Sequence, residues 1–181
     1  MLRIILTNGT IAGLIVASMF FITWVVYGAD QMVANGQFVG YLTMIVALSL
    51  IFVGVKRWRD RALGGVIKFM PAFLIGLGIS AVAGVIYVIG WEITLAATNY
   101  SFMGAYVEAV IEAERAKGVS EAELEAFIDA MRGFEAQYSN PLIRVPITFI
   151  EIFPVGVIIS LISAALLRNP RFLPLRPSPA A

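Results

Sequence analysis

The sequence predicts an all-α integral membrane protein with four transmembrane helices, both termini cytoplasmic, and an extramembrane helical hairpin between helices three and four. Three observations predict it. Four stretches are apolar over the roughly 20 residues needed to cross a hydrocarbon core. Basic residues crowd alternate connections. The 181-residue chain is 60% hydrophobic and only 14% charged, far more apolar than an ordinary soluble domain. The whole of 1–181 reads as a single membrane domain.

The first span is expected over 4–27, with Thr7, Asn8 and Thr10 near its start. A signal peptide is the competing reading. Ile11 to Val26 is long for the apolar region of such a peptide, and Tyr27 is a poor residue three positions before a cut at Asp30, so an uncleaved helix is expected. The second span, 38–55, ends at the run Lys56-Arg57-Trp58-Arg59-Asp60-Arg61. The third covers 69–97 and the fourth 146–167.

Orientation follows from the basic residues. Nine of the thirteen fall on one side: Arg3, Lys56, Arg57, Arg59, Arg61, Lys68, Arg168, Arg171 and Arg176. The other side carries Arg115, Lys117, Arg132 and Arg144 beside eight carboxylates. The positive-inside rule then places both termini in the cytoplasm. The segment 98–142 becomes an outer hairpin. Gly118 ends a first helix, and Ser120-Glu121-Ala122-Glu123 is a capping box for a second. Leu124, Phe127, Ile128, Met131 and Phe134 form an apolar stripe on that second helix. The stripe is expected to rest on the bundle, with a partner-docking surface as the alternative.

Small residues recur every fourth position: Gly9, Gly13 and Ala17 in the first span, Gly76, Ser80 and Gly84 in the third, Gly156, Ser160 and Ala164 in the fourth. In lipid such stripes let helix backbones approach closely. Packing within one bundle is the expected use, and homo-oligomerisation or contact with another membrane protein the alternative.

Composition narrows the chemistry. The formal charge of +1 and the scattered basic residues exclude nucleic acid as a partner, leaving the lipid bilayer as the expected surroundings. With no Cys and no His, disulfides, thiolate nucleophiles and imidazole ligands are excluded. No cofactor is expected. No metal site is expected either, because two carboxylates alone make an incomplete ligand set.

The functional signal is a pair of acids inside the spans, Glu92 and Glu151, since ionisable groups at membrane depth are costly and mark functional sites. Arg144 is positioned to pair with either one. Pro154 removes the helical partner of the Ile150 carbonyl and is expected to open the helix beside Glu151. Glu92, Glu151, Arg144 and Pro154 thus form the candidate polar site. Three readings compete: structural hydrogen bonding, a proton or cation site for coupled transport or permeation, and general acid/base catalysis. A non-catalytic assembly subunit using the hairpin is the other class of function.

Several segments carry a resemblance: Leu6-Thr7-Asn8-Gly9, Ile51-Phe52-Val53-Gly54-Val55-Lys56-Arg57, Gly64-Gly65-Val66-Ile67, Tyr87-Val88-Ile89-Gly90-Trp91-Glu92 and Glu151-Ile152-Phe153-Pro154-Val155-Gly156. On these the chain resembles the bacterial domain of unknown function 4199 family of four-span membrane proteins. The resemblance implies a multi-pass protein of the bacterial inner membrane. It implies no activity.

Overall fold

A computed structural model describes residues 1–175, except for the side chains at 24–35 and 37. The Tyr27 and Asp30 side chains in the signal-peptide argument, and Arg176 of the basic tail, lie outside the described residues. The described chain is helical throughout: α1 (Leu2–Leu48), α2 (Leu50–Ala62), α3 (Phe69–Ala97), α4 (Ser101–Ala116), α5 (Glu121–Tyr138) and α6 (Pro141–Leu167). Four stretches are long and apolar enough to cross a membrane, Leu2–Thr23, Phe38–Ala62, Phe69–Ala97 and Pro141–Leu167.

The first two candidate spans share the helical run α1, yet they lie side by side. A Cβ built on Gly40 would sit 3.7 Å from the Phe20 ring, and one on Gly54 3.3 Å from the Asn8 side chain. A straight helix would hold positions 20 and 40 about 30 Å apart at 1.5 Å per residue. The run therefore folds back between them, and span two is antiparallel to span one.

The small-residue stripes are used inside the chain. A Cβ on Gly9 would meet Val82 at 2.6 Å, one on Gly13 would meet Ile86 at 2.7 Å, and one on Gly90 would collide with Ala17. Positions rise together along both helices, so the first span and α3 run parallel. Between α3 and α6 the match is reciprocal and antiparallel. Gly76 receives Ser160 and Gly156 receives Ser80, with added Cβ atoms only 2.6 and 2.5 Å from the opposing Oγ atoms. Ser80 and Ser160 donate to the carbonyls of Gly76 and Gly156 at 2.9 and 2.7 Å, so neither hydroxyl is stranded in the dry contact.

Two helix limits differ from the sequence expectation. The second span continues past Lys56 to Ala62, because Lys and Arg are good helix formers and Lys56 pairs with Asp60 one turn on. It stops at Gly64 and Gly65, both at positive φ, where the Gly65 N–H donates to the Arg59 carbonyl at 2.9 Å. α6 begins at Pro141 and not at Pro146. Asn140 caps it by accepting from the Leu142 N–H at 3.0 Å, and Pro141 occupies the first helical turn, where its missing donor costs nothing.

α4 and α5 connect the third and fourth candidate spans. α4 ends at Ala116, with Lys117 as its C-cap and Gly118 following at φ +73°. The Ser120–Glu123 capping box forms as the sequence expects, with both reciprocal bonds in place. α4 packs on α1 and α5, and α5 also touches α6. Phe102, Val107 and Ile111 of α4 are buried. On α5 Leu124, Phe127, Ile128 and Met131 are only half-buried, and Phe134 is 38% exposed.

Candidate functional site

The last turns of α3 carry Tyr87, Trp91 and Glu92, and the first turns of α6 carry Arg144, Thr148 and Glu151. Because these helices are antiparallel, Glu92 faces Arg144, while Tyr87, one and a half turns deeper, faces Glu151. The two acids therefore have different neighbours.

Glu92 is held by Arg144. Arg144 Nε donates to Glu92 Oε1 and Nη2 to Oε2, both at 2.7 Å, a bidentate charge-assisted pair. Arg144 is buried at 3% exposure, whereas the Glu92 side chain keeps 30%. The remaining nitrogen, Nη1, donates to the carbonyls of Tyr138 and Ser139 at 3.2 Å, satisfying the C-terminal end of α5. The guanidinium also lies 5.7 Å from the centre of the Tyr100 ring and 6.0 Å from that of Tyr138. Tyr100 reaches this place from a left-handed backbone conformation, φ 58°, at the turn that follows α3. One arginine thus ties α3, α5 and α6 together.

Tyr138 continues the network. Trp91 Nε1 donates to its hydroxyl at 2.8 Å, and that hydroxyl lies 3.3 Å from Thr148 Oγ1. Thr148 spends its own proton on the Arg144 carbonyl at 3.0 Å, so Tyr138 is the donor to Thr148. Burial pushes the Tyr138 hydroxyl above its ordinary pKa, keeping it a neutral donor.

Glu151 is placed differently. Tyr87 Oη donates to its Oε2 at 3.2 Å, and no ion pair reaches it among the described residues. Its residue is exposed, and its carboxylate lines an open cavity of about 300 Å³. The pairings put the two acids about 7–10 Å apart along the helix axes, counting five residues on α3 or seven on α6 at 1.5 Å each. They are not linked by a hydrogen bond among the described residues. Pro154 does not line this cavity; it lies exposed on α6, which runs unbroken to Leu167.

The cavity wall is aromatic. Tyr87 and Trp91 both contact Phe20, with ring centres 5.8 and 5.7 Å apart, and Trp91 stands edge-on to Phe102 at 4.8 Å. Phe102 then stacks on Tyr106. Tyr41 and Met44 approach from the second span, and Phe134 and Tyr138 close the side formed by α5. Hydropathy does not single out these rings, because aromatic residues near span ends also read as ordinary interfacial anchors. Only the packing brings them around Glu151. The arrangement offers one anionic acceptor, hydroxyl donors and several π faces. Among the described residues no cluster of three or more acidic, His or Cys side chains is present that could hold a metal ion.

A second polar centre lies at the C-terminal end of α2. Arg59 is fully buried; it donates from Nε to Asp60 at 2.7 Å, and from Nη1 and Nη2 to the carbonyls of Phe172 and Leu173 at 2.9 and 2.5 Å. Its sequence signal is indistinguishable from that of its exposed neighbours Arg57 and Arg61.

The model of a family described as a protein of unknown function (DUF4199) matches residues 7–169. No curated protein and no solved structure matches.

Proposed function

The chain belongs to the DUF4199 family, and from that premise we propose that it is an inner-membrane protein of bacteria that carries out proton- or cation-coupled transport or permeation, with Glu151 as the exchanging group. The four candidate spans support a multi-pass protein. Both termini lie in the cytoplasm by the distribution of basic residues, and α4 and α5 form an outer hairpin roofing the cavity. The carrying observation is the contrast between the two acids. Glu92 is committed to Arg144, whereas Glu151 meets an open cavity and, among the described residues, has a tyrosine hydroxyl as its side-chain partner. A carboxylate in that setting is available to take up and release a proton or a cation.

Purified protein in liposomes under an imposed pH gradient tests this. Wild type is expected to give a pH-dependent flux that Glu151→Gln abolishes. Absence of that flux, or its survival in Glu151→Gln, overturns the reading. The half-buried apolar stripe of α5 favours a second reading, a non-catalytic subunit that docks a membrane partner there. It predicts that Phe127→Asp releases a co-purifying partner and that the chain alone in liposomes gives no flux.

A further inference from the structure

We propose that the cavity beside Glu151 binds a compact organic cation, a quaternary or aromatic ammonium compound. This deepens the preceding reading and rests on its assignment of Glu151 as the exchanging group. Three features of the site lead there. The first is charge: among the described residues Glu151 is the one charged side chain lining the cavity, and the nearby Arg144 is already neutralised by the bidentate contact with Glu92. A cationic occupant supplies the missing counter-charge.

The second is the wall. Phe20, Tyr87, Trp91, Phe102 and Tyr106 form an unbroken series of ring contacts, several of them edge-on or tilted, which turn ring faces in different directions. Aromatic faces attract a cation through the ring quadrupole, and quaternary ammonium groups are the ligands such cages suit. A small inorganic cation requires a different site. Calcium takes six to eight oxygen ligands and magnesium holds an octahedral shell, whereas this lining offers one carboxylate and phenolic hydroxyls. The third is size. About 300 Å³ is at the small end of ligand cavities, which run from roughly 300 to 1,000 Å³. Met44 and Met103 add flexible, polarisable surface that adapts to alkyl substituents.

The test is calorimetric binding to the full chain purified in an uncharged maltoside detergent, with benzyltrimethylammonium as the cationic probe and benzyl alcohol as a neutral one. Saturable binding of the cation, at least tenfold tighter than the alcohol, is expected. Glu151→Gln should weaken the cation about tenfold or more and leave the alcohol unchanged. Tyr106→Leu, on the half-buried surface of α4, removes one ring and should cost about 2- to 30-fold for the cation alone, the range of a single cation–π contact. Equal affinity for both probes overturns the proposal, as does cation binding indifferent to both variants. Flux dependent on Glu151 without cation binding leaves the transport reading standing and sinks this one. Cation binding dependent on Glu151 without any flux does the reverse.

Discussion

Removing Glu92 should harm the fold far more than its partly exposed position suggests. Glu92→Gln leaves the cation of Arg144, a residue 3% exposed, without its counter-charge and converts a bidentate ionic contact to a single hydrogen bond onto a neutral amide oxygen. Removing one partner of a fully buried pair costs about 3–5 kcal/mol. The Glu92 side chain keeps 30% of its exposure, so water screens part of the attraction and about 2–3 kcal/mol is the appropriate figure. Arg144→Met should cost a similar amount by a different route. It frees a carboxylate that can hydrate, but it also strips the Tyr138 and Ser139 carbonyls of their donor. The two changes together should cost much less than their sum, because the double variant contains no unpaired buried charge. A double-mutant cycle followed by helical circular dichroism during SDS titration in mixed micelles measures this coupling. It should be about 2 kcal/mol. Additivity within about 0.5 kcal/mol would refute the argument that the two residues act as one unit.

Gly156→Ala should destabilise the α3–α6 contact by about 1–3 kcal/mol, since the new methyl would meet Ser80 at 2.5 Å, whereas Gly133→Ala meets open space and should stabilise α5 by about 0.5–1 kcal/mol; thermal unfolding distinguishes the two signs. Ser120→Ala should cost about 1 kcal/mol locally, read as faster amide exchange in the first turn of α5. Hydrogen bonds from Ser120 hold the Glu123 carboxyl below its ordinary pKa of 4.5, so this cap is intact at neutral pH and is lost as pH falls through the lowered value. Protection in that turn, taken relative to the intrinsic exchange rate at each pH, should therefore fall in acid for wild type and fall less in Ser120→Ala. Arg59→Met should loosen the segment around Phe172 and Leu173, seen as increased proteolysis there with the spans still protected.

The bundle was legible in the sequence because lipid imposes simple rules. A hydrocarbon core demands long apolar runs, and close helix contacts demand small residues, so Gly9, Gly76 and Gly156 announced their neighbours in type if not in identity. Ser120 and Glu123 announced a cap because that motif is local. The choice between acids was not legible. Whether Glu92 comes level with Arg144 depends on the axial register of α3 against α6, and that register is fixed far away by Gly76 with Ser160 and Gly156 with Ser80. The cavity was hidden for the same reason, since its rings come from positions scattered between Phe20 and Tyr138.

Arg59 carries a consequence for biogenesis. An arginine at the end of a candidate span is the kind of residue the positive-inside rule counts. In the finished protein the same side chain is sealed from water and bonded to carbonyls more than a hundred positions later in the chain. Those acceptors emerge from the ribosome only after every candidate span has been made. The arginine must therefore stay hydrated, or lean on Asp60 alone, until the segment after α6 arrives and closes over it. Docking of that segment can therefore come only after every candidate span has been made, and a chain halted before Phe172 would be marked by a cation still open to solvent.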